Sequence, residues 1–218
     1  MQNNNLELVF ILDKSGSMQP LTEDTIGGFN SNIAKHREDD CNVLVTTVLF
    51  DSQYRIIHDR IPIKEVPVLT AKEYEAYGST ALYDAVGSTV RHIEDVHRYI
   101  RKEDVPEAVL FIIITDGMEN ASRTFFGDQV RSMVEAKKEL GWDFVFIGAG
   151  IDAFAGARDI GISERAARSR ARSRAGMGRI MEEASRVMDY SVLKARKMAP
   201  FATVDEYMEK NIKIEDEE

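Results

Sequence analysis

Cysteine and long apolar runs are both scarce in this sequence of 218 residues. Cys41 is the only cysteine, so no disulfide can form within the chain, which is typical of proteins from a reducing compartment. No stretch approaches the roughly 20 consecutive apolar residues that a membrane-spanning helix needs. The opening residues carry neither the basic segment nor the small-residue cleavage site of a secretory signal. We therefore expect a cytoplasmic protein that does not associate with membranes.

Positive charge is also in deficit. The chain has 28 Lys and Arg against 37 Asp and Glu, which gives a formal net charge of −9. This balance disfavours nucleic-acid binding by the surface as a whole, so any anion binding would have to use a local patch. The length fits one α/β domain with a single core, and the composition, 44% hydrophobic and 30% charged, is that of a soluble globular protein.

The most informative stretch is a buried-strand pattern that ends in a cluster of oxygen-bearing side chains. The nearly continuous apolar run over residues 6–12 predicts a strand covered on both faces, as in a parallel sheet. The run stops at Asp13, and Ser15 and Ser17 follow with Gly16 between them, so three short oxygen side chains can turn inward on one tight loop. Such ligands suit Mg²⁺, which prefers octahedral oxygen coordination and usually retains some waters.

Strand and helix patterns alternate along the rest of the chain. The link of three residues between the strand patterns at 43–50 and 54–63 permits only an antiparallel pair, with the half-polar member at the sheet edge. The alternation predicts a doubly wound, Rossmann-like α/β fold, in which a mostly parallel sheet has one antiparallel edge strand and helices on both faces. In the first helix, Gly27 and Gly28 are expected to let the helix lie close against that sheet.

The domain organisation follows from the same patterns. We expect a single domain over residues 6–192, which includes the Arg-rich segment 165–179 and a C-terminal amphipathic helix. Residues 193–218 are expected to form an extension that ends in an acidic, disordered tail.

Oxygen side chains from distant parts of the chain are expected to meet at one edge of this sheet. In an open doubly wound sheet, ligands bind beyond the C-terminal ends of the strands, where the strand order reverses. Asp13 ends one buried strand and Asp116 follows another. If these strands are neighbours across the reversal, Thr80 at the head of the intervening helix can reach the same crevice. The predicted site therefore consists of Asp13, Ser15, Ser17, Thr80 and Asp116.

Three motifs carry a resemblance to a known family: Asp13-Lys-Ser-Gly-Ser17, Gly78-Ser-Thr80-Ala-Leu-Tyr-Asp-Ala85 and Ile114-Thr-Asp116-Gly-Met-Glu-Asn120. Together they resemble a von Willebrand factor type A (vWA) domain with its metal-ion-dependent adhesion site (MIDAS), over about residues 6–160. The small stand-alone bacterial members are the most similar. The resemblance implies that Mg²⁺ or Mn²⁺ is bound directly by Ser15, Ser17 and Thr80. It implies that Asp13 and Asp116 act largely through coordinated waters, and that one coordination position stays open for a carboxylate of a partner protein.

The function implied by this resemblance is a metal-dependent protein-protein interaction module rather than an enzyme, and bacterial members often serve as adaptors. A first alternative is a metal-dependent phosphohydrolase, because the strand ending at Asp13 is similar to the haloacid-dehalogenase phosphatases. In those enzymes the first Asp is the nucleophile and a second Asp two residues on protonates the leaving group, whereas position 15 here is serine. A second alternative is an arginine-patch binder in which the metal site is vestigial.

The arginine patch would come from residues 165–174, where arginine alternates with small residues. An extended chain would place the last four arginines on one side and a helix would distribute them around its circumference, and neither arrangement is expected to bury them. The segment is either a solvated surface or a patch for an acidic protein, phosphate groups or, less favoured, nucleic acid. The arginines concerned are Arg165, Arg168, Arg170, Arg172 and Arg174.

A glycine-rich turn offers a further alternative. Gly148-Ala-Gly150 follows a strand pattern and so formally fits a dinucleotide-binding fingerprint. Such a site needs an acidic residue at the end of a second strand about 20 residues on, but no strand pattern is present there and the residue is Arg168. We therefore predict a tight turn and no bound nucleotide.

Overall fold

A computed structural model describes residues 5–38, 41–150, 153–170 and 172–211. Within these ranges six strands form one sheet: β1 (Asn5–Asp13), β2 (Asn42–Phe50), β3 (Tyr54–Pro62), β4 (Ala108–Thr115), β5 (Asp143–Ala149) and β6 (Ala167–Arg170). The α-helices are α1 (Thr22–His36), α2 (Leu82–Tyr99), α3 (Gly127–Glu139), α4 (Ala153–Asp159), α5 (Arg174–Ala195) and α6 (Val204–Asn211). None of these helices combines the length and the apolar composition needed to cross a membrane.

The strand order is β3-β2-β1-β4-β5-β6, and every neighbouring pair is parallel except β2 and β3. The predicted antiparallel edge strand is therefore confirmed, because residues 51–53 are too few to carry the chain back for a parallel pairing. From β1 the chain moves outward to β2 and β3, and it then returns to β4 on the other side of β1. The reversal of strand order thus lies between β1 and β4.

Helices cover both faces of the sheet, as predicted. Phe10 of β1 packs edge to face on Phe29 of α1, with ring centroids 5.2 Å apart, whereas Glu7 of the same strand meets His97 of α2. Because residues of opposite parity point to opposite faces of a strand, α1 and α2 lie on opposite sides of the sheet. Helix α5 packs beside α1, and α3 packs beside α2.

The glycine pair of α1 contacts a different element from the one expected. A Cβ atom on Gly28 would lie 2.2 Å from Cγ of Met181, which belongs to α5. The side-chain amide of Asn32 also donates to the backbone oxygen of Met181, at 2.9 Å. A Cβ on Gly27 would meet nothing within 4 Å. Gly28 therefore allows the close approach of two helices, and the expectation that the glycine pair faces the sheet is wrong.

The arginine-rich segment departs most from expectation. Strand β6 forms there and pairs with β5, although the sequence shows no strand pattern. Arg168 is 2% exposed and Arg170 is 7% exposed, so the expectation that these side chains are not buried is wrong. Helices α5 and α6 close over this edge of the sheet. Both helices supply acceptors for the guanidinium groups, Met208 from α6 and Glu183 from α5.

The acceptors differ between the two buried arginines. Arg168 donates to the backbone oxygens of Arg165 and Met208, at 2.8 and 3.0 Å, and Arg170 pairs with the carboxylate of Glu183 in α5. The side chains of these two arginines are part of the core, so they cannot belong to an exposed patch. The arginines of the predicted patch that remain exposed are Arg165, Arg172 and Arg174.

The C-terminal helices pack on the rest of the fold. The predicted boundary between residues 192 and 193 falls inside α5, which continues to Ala195. The rings of Tyr190 in α5 and Tyr207 in α6 stack with centroids 4.6 Å apart, and Tyr190 donates its hydroxyl to the backbone oxygen of Phe201. The acidic tail at 212–218, for which disorder is expected, lies outside the described residues.

Candidate metal centre

Asp13, the last residue of β1, is fully buried and held from three directions. Its Oδ1 accepts a hydrogen bond from the backbone N–H of Ser15 at 2.7 Å, and its Oδ2 accepts one from the hydroxyl of Thr115 at 2.5 Å. Its backbone oxygen accepts a hydrogen bond from the hydroxyl of Tyr74. The carboxylate therefore has a fixed orientation at the end of the strand.

The surroundings of Asp13 disfavour its charged form. Burial raises the pKa of this carboxyl to about 6, and this effect exceeds the opposing one of the hydrogen bonds from Thr115 and Ser15. The negative charge of Asp116 raises the pKa of Asp13 further. A bound cation would reverse this effect on Asp13, because its positive charge favours the ionised carboxylate.

The loop after β1 connects the two carboxylates. The hydroxyl oxygens of Ser15 and Ser17 lie 3.0 Å apart, and Ser17 donates its hydroxyl to Oδ1 of Asp116 at 2.6 Å. The backbone N–H of Gly16 donates to the backbone oxygen of Gly78 at 3.0 Å, which holds this loop against the segment that leads into α2. Ser15 and Ser17 are thereby placed between the ends of β1 and β4.

One oxygen of Asp116 has a different environment. The Asp116 side chain has no exposed surface, and no described residue gives its Oδ2 a hydrogen bond of acceptable geometry. The guanidinium Nη2 of Arg172 nevertheless lies 2.8 Å from this oxygen. The charge of this oxygen is therefore offset by Arg172, but the oxygen accepts no aligned hydrogen bond and remains available to a ligand.

Thr80 reaches the same place from the head of α2. Its backbone N–H donates to Oδ1 of Asn120 at 2.9 Å, and the backbone N–H of Asn120 donates to the backbone oxygen of Thr80 at 3.0 Å. A Cβ atom on Gly117 would lie 2.8 Å from Oγ1 of Thr80 and 3.7 Å from Oδ2 of Asp13. The Thr80 hydroxyl and the Asp13 carboxylate thus both lie close to the same point beside Gly117, and a larger residue at position 117 would collide with Thr80.

The structure brings all five predicted residues together at the C-terminal ends of β1 and β4 and the N-terminal end of α2: Asp13, Ser15, Ser17, Thr80 and Asp116. Among the described residues, no three His, Cys, Asp or Glu side chains converge as an ordinary metal cluster would. Any metal here depends on three hydroxyl oxygens and two carboxylates. That donor set is hard and consists of oxygen alone, so it fits Mg²⁺ or Mn²⁺ better than a metal that prefers nitrogen or sulfur.

Several supporting residues were missed at the sequence level. Thr115 carried a usable signal, because it precedes Asp116 and ends β4 opposite the end of β1. Tyr74 and Asn120 act through contacts that only the folded chain shows. The sequence places Arg172 in a patch of arginines, whereas in the structure its Nη2 contacts the backbone oxygen of Ser17 and Oδ2 of Asp116.

Structure comparison identifies the fold. The manganese-loaded TRAP protein of Plasmodium vivax is 19% identical over 91% of this chain and 75% of that chain, with a TM-score of 0.61. The mussel byssus protein PTMP1 with a zinc-occupied MIDAS motif is 15% identical over 84% of this chain and 46% of that one, with a TM-score of 0.54. The von Willebrand factor type A structure from Catenulispora acidiphila is 18% identical over 83% and 42%, with a TM-score of 0.54.

No family model matches the sequence, and no curated protein matches it. The chain spans about half the length of PTMP1 and of the Catenulispora structure. At these identities the likeness concerns the fold. The strand order, the antiparallel edge strand and the helices on both faces are those of a vWA domain. The sequence resemblance is therefore confirmed at the level of the fold: the chain has a vWA-type α/β fold.

Proposed function

We propose that this protein is a metal-dependent protein-interaction module. Mg²⁺ or Mn²⁺ would be held at the loop edge of the sheet by Asp13, Ser15, Ser17, Thr80 and Asp116, and a carboxylate of a partner protein would complete its coordination. The observation that carries the proposal is the buried Oδ2 of Asp116, which has no hydrogen bond within the described chain and lies in a cluster of oxygen side chains. The metals present in the TRAP and PTMP1 structures support a divalent ion at this edge of the fold.

The composition of the site explains why it would select an acidic ligand. The three hydroxyl groups are neutral, so Asp13 and Asp116 alone offset the charge of a divalent ion. The bound ion supplies a centre of positive charge with a position left for an anionic oxygen. Thr115 and Ser15 hold the Asp13 carboxylate, and Ser17 holds Asp116, so the chain presents these oxygens in one arrangement.

The same contacts count against the phosphohydrolase alternative. Both carboxylate oxygens of Asp13 accept hydrogen bonds and the side chain has no exposed surface, so neither oxygen is presented to a substrate as a nucleophile. Ser15 stands where that mechanism requires an acid. We therefore propose no enzymatic activity. A phosphatase assay of the wild type against Asp13→Asn tests this directly, since activity lost in the variant would establish the enzyme.

The cellular setting belongs to the same proposal. A role as a bacterial adaptor is suggested by the sequence resemblance to stand-alone vWA proteins. A cytoplasmic location fits a chain with a single cysteine, the buried Cys41, because no disulfide can form within the chain.

Metal binding is tested first with the purified protein. We expect Mg²⁺ or Mn²⁺ to raise the thermal unfolding midpoint of the wild type and EDTA to reverse the rise, because a ligand that binds only the folded state stabilises it. Asp116→Ala should abolish the rise. Asp95→Ala is the matched control, since Asp95 is an exposed carboxylate on α2 that pairs with Arg98. No metal-dependent rise in the wild type would refute the metal site.

Partner binding is tested with a pull-down from a lysate of the source cell, with the wild type in Mg²⁺, the wild type in EDTA and Asp13→Ala. Proteins retained only by the wild type in Mg²⁺ would support metal-dependent docking. Replacing an acidic residue of such a partner should then abolish retention. The same proteins retained in all three samples would show that docking does not use the metal.

A further inference from the structure

Arg172 bridges two residues of the proposed metal site. Its Nη2 donates to the backbone oxygen of Ser17 at 2.7 Å and lies 2.8 Å from Oδ2 of Asp116. Ser17 in turn donates its hydroxyl to the other carboxylate oxygen of Asp116. The guanidinium therefore occupies the side of Asp116 that no other described residue contacts by a hydrogen bond.

Two residues close to Arg172 in the chain, one before it and one after it, are held by contacts with α5. Two residues earlier, Arg170 ends β6 and its guanidinium is buried against Glu183 of α5. One residue later, Ser173 is the N-cap of α5, and its hydroxyl accepts the N–H of Gly176 at 3.1 Å. The Arg172 side chain itself is 49% exposed. It thus lies beside the site between two anchored residues, and its exposed half leaves the guanidinium room to turn towards solvent.

The charges explain what this arrangement does. Without a metal, the guanidinium is a cation next to a carboxylate that has no exposed surface, so its positive charge offsets the negative charge of Asp116. A divalent ion bound by the same carboxylate would be repelled by a guanidinium left in place. We propose that Arg172 is a tethered cation that competes with the divalent metal for Asp116, so that metal binding requires the guanidinium to move away. The inference rests on the proposed metal site, and it makes Arg172 a determinant of that site's affinity.

The test is a calorimetric titration of Mg²⁺, and separately of Mn²⁺, into the wild type, Arg172→Gln and Arg174→Gln. Arg174 is the matched control because it is 72% exposed, lies two residues away and pairs with Glu23 and Asp24 of α1. Both variants change the net charge equally, so the comparison removes the long-range effect of charge. We expect Arg172→Gln to bind the metal about threefold to tenfold more tightly than Arg174→Gln does.

A second measurement uses the protein without metal. In EDTA the unfolding midpoint of Arg172→Gln should fall below that of Arg174→Gln, because Asp116 loses its neighbouring cation. Saturating Mg²⁺ should then raise the midpoint of Arg172→Gln by more than it raises that of the wild type. These opposite shifts would not arise if Arg172 merely supported the loop.

Each other outcome is decisive. Equal or weaker metal binding by Arg172→Gln overturns the competition and leaves the metal site standing. Equal tightening by Arg174→Gln also overturns it, because net charge would then account for the change. If neither the wild type nor Arg172→Gln takes up metal, both the metal site and the competition are refuted.

Discussion

The hydroxyl of Thr115, the last residue of β4, donates a 2.5 Å hydrogen bond to Oδ2 of Asp13, the last residue of β1. The bond joins two neighbouring strand ends at the reversal of strand order. It orients a carboxylate that burial makes unfavourable to ionise, and the pKa of Asp13 is raised to about 6 in spite of it. In the metal-free protein, the ionised Asp13 therefore lowers the stability of the fold.

Replacing Asp13 with asparagine should stabilise the metal-free protein at neutral pH. Because the folded pKa is raised, ionisation of Asp13 costs nothing below its ordinary pKa near 4 and costs most above about pH 6. In EDTA at pH 7.5 we expect Asp13→Asn to gain up to about 3 kcal/mol in the free energy of unfolding, and at pH 4.5 only about 1 kcal/mol. Urea unfolding at both pH values measures this difference.

The asparagine can be accommodated locally. Its amide can donate to Oγ1 of Thr115, whose own hydroxyl then donates to the backbone oxygen of Gly117, 3.2 Å away. Asp95→Asn on the exposed face of α2 serves as the control. A gain for Asp13→Asn that is the same at both pH values would contradict the assignment to ionisation.

Thr80 should contribute its hydroxyl rather than its shape. Thr80→Val keeps the shape and removes the oxygen beside Asp13, so we expect metal affinity to fall about tenfold or more. Thr80→Ser keeps the oxygen and should stay within about threefold of the wild type. Calorimetric titration with Mg²⁺ compares the three proteins. Equal affinity in Thr80→Val and the wild type would remove Thr80 from the ligand set.

The two adjacent glycines of α1 should respond in opposite directions to alanine. A Cβ on Gly28 would lie 2.2 Å from Cγ and 2.8 Å from Cβ of Met181. Gly28→Ala must therefore displace α5 or the Met181 side chain, and it should lower the free energy of unfolding by about 1–3 kcal/mol. A Cβ on Gly27 would have no neighbour within 4 Å. Gly27→Ala should therefore raise the free energy of unfolding by about 0.5–1 kcal/mol, because alanine favours the helix more than glycine does. Chemical unfolding of Gly27→Ala and Gly28→Ala, each compared with the wild type, measures both effects. Equal effects of the same sign would contradict the packing of α1 on α5.

The buried ion pair between Arg170 and Glu183 should be essential to the fold. Arg170→Met leaves the Glu183 carboxylate buried without its partner, and we expect a loss of about 3–5 kcal/mol. Arg165→Met, at an exposed arginine, should change stability by less than about 0.5 kcal/mol. Urea unfolding measures both variants.

A double variant separates the charge from the packing. Arg170→Met with Glu183→Leu removes both members of the pair and should recover much of the stability, since no isolated charge remains. A double variant as unstable as Arg170→Met alone would show that the loss comes from the arginine's packing.

Much of the fold could be predicted because the central strands consist almost entirely of apolar residues. The apolar runs of β1, interrupted only by Glu7, and of β4 indicate strands covered on both faces, and the link at residues 51–53 permits only a hairpin. Strand β6 could not be found in this way. Its buried residues include Arg168 and Arg170, which look polar in the sequence, and their acceptors come from α5 and α6 further along the chain.

The candidate site shows the same division. Its five side chains were predictable because residues at the ends of neighbouring parallel strands meet at one sheet edge. The contacts that hold them were not, since Tyr74 reaches Asp13 from 61 positions away and Arg172 reaches Ser17 from 155. Local patterns carry no information about such pairs.

The site is assembled from distant parts of the chain, and this sets an order during protein synthesis. Ser17 and Asp116 are separated by 99 positions, and β1 acquires its second neighbour only when β4 joins the sheet. A nascent chain that has not yet reached Asp116 can pair β1 with β2 but lacks the second carboxylate. Until then, one edge of β1, a strand that is buried from Leu6 to Asp13 in the complete fold, stays open to other strands or to chaperones. Uptake of the ion by a nascent chain would therefore indicate that β4 has paired with β1.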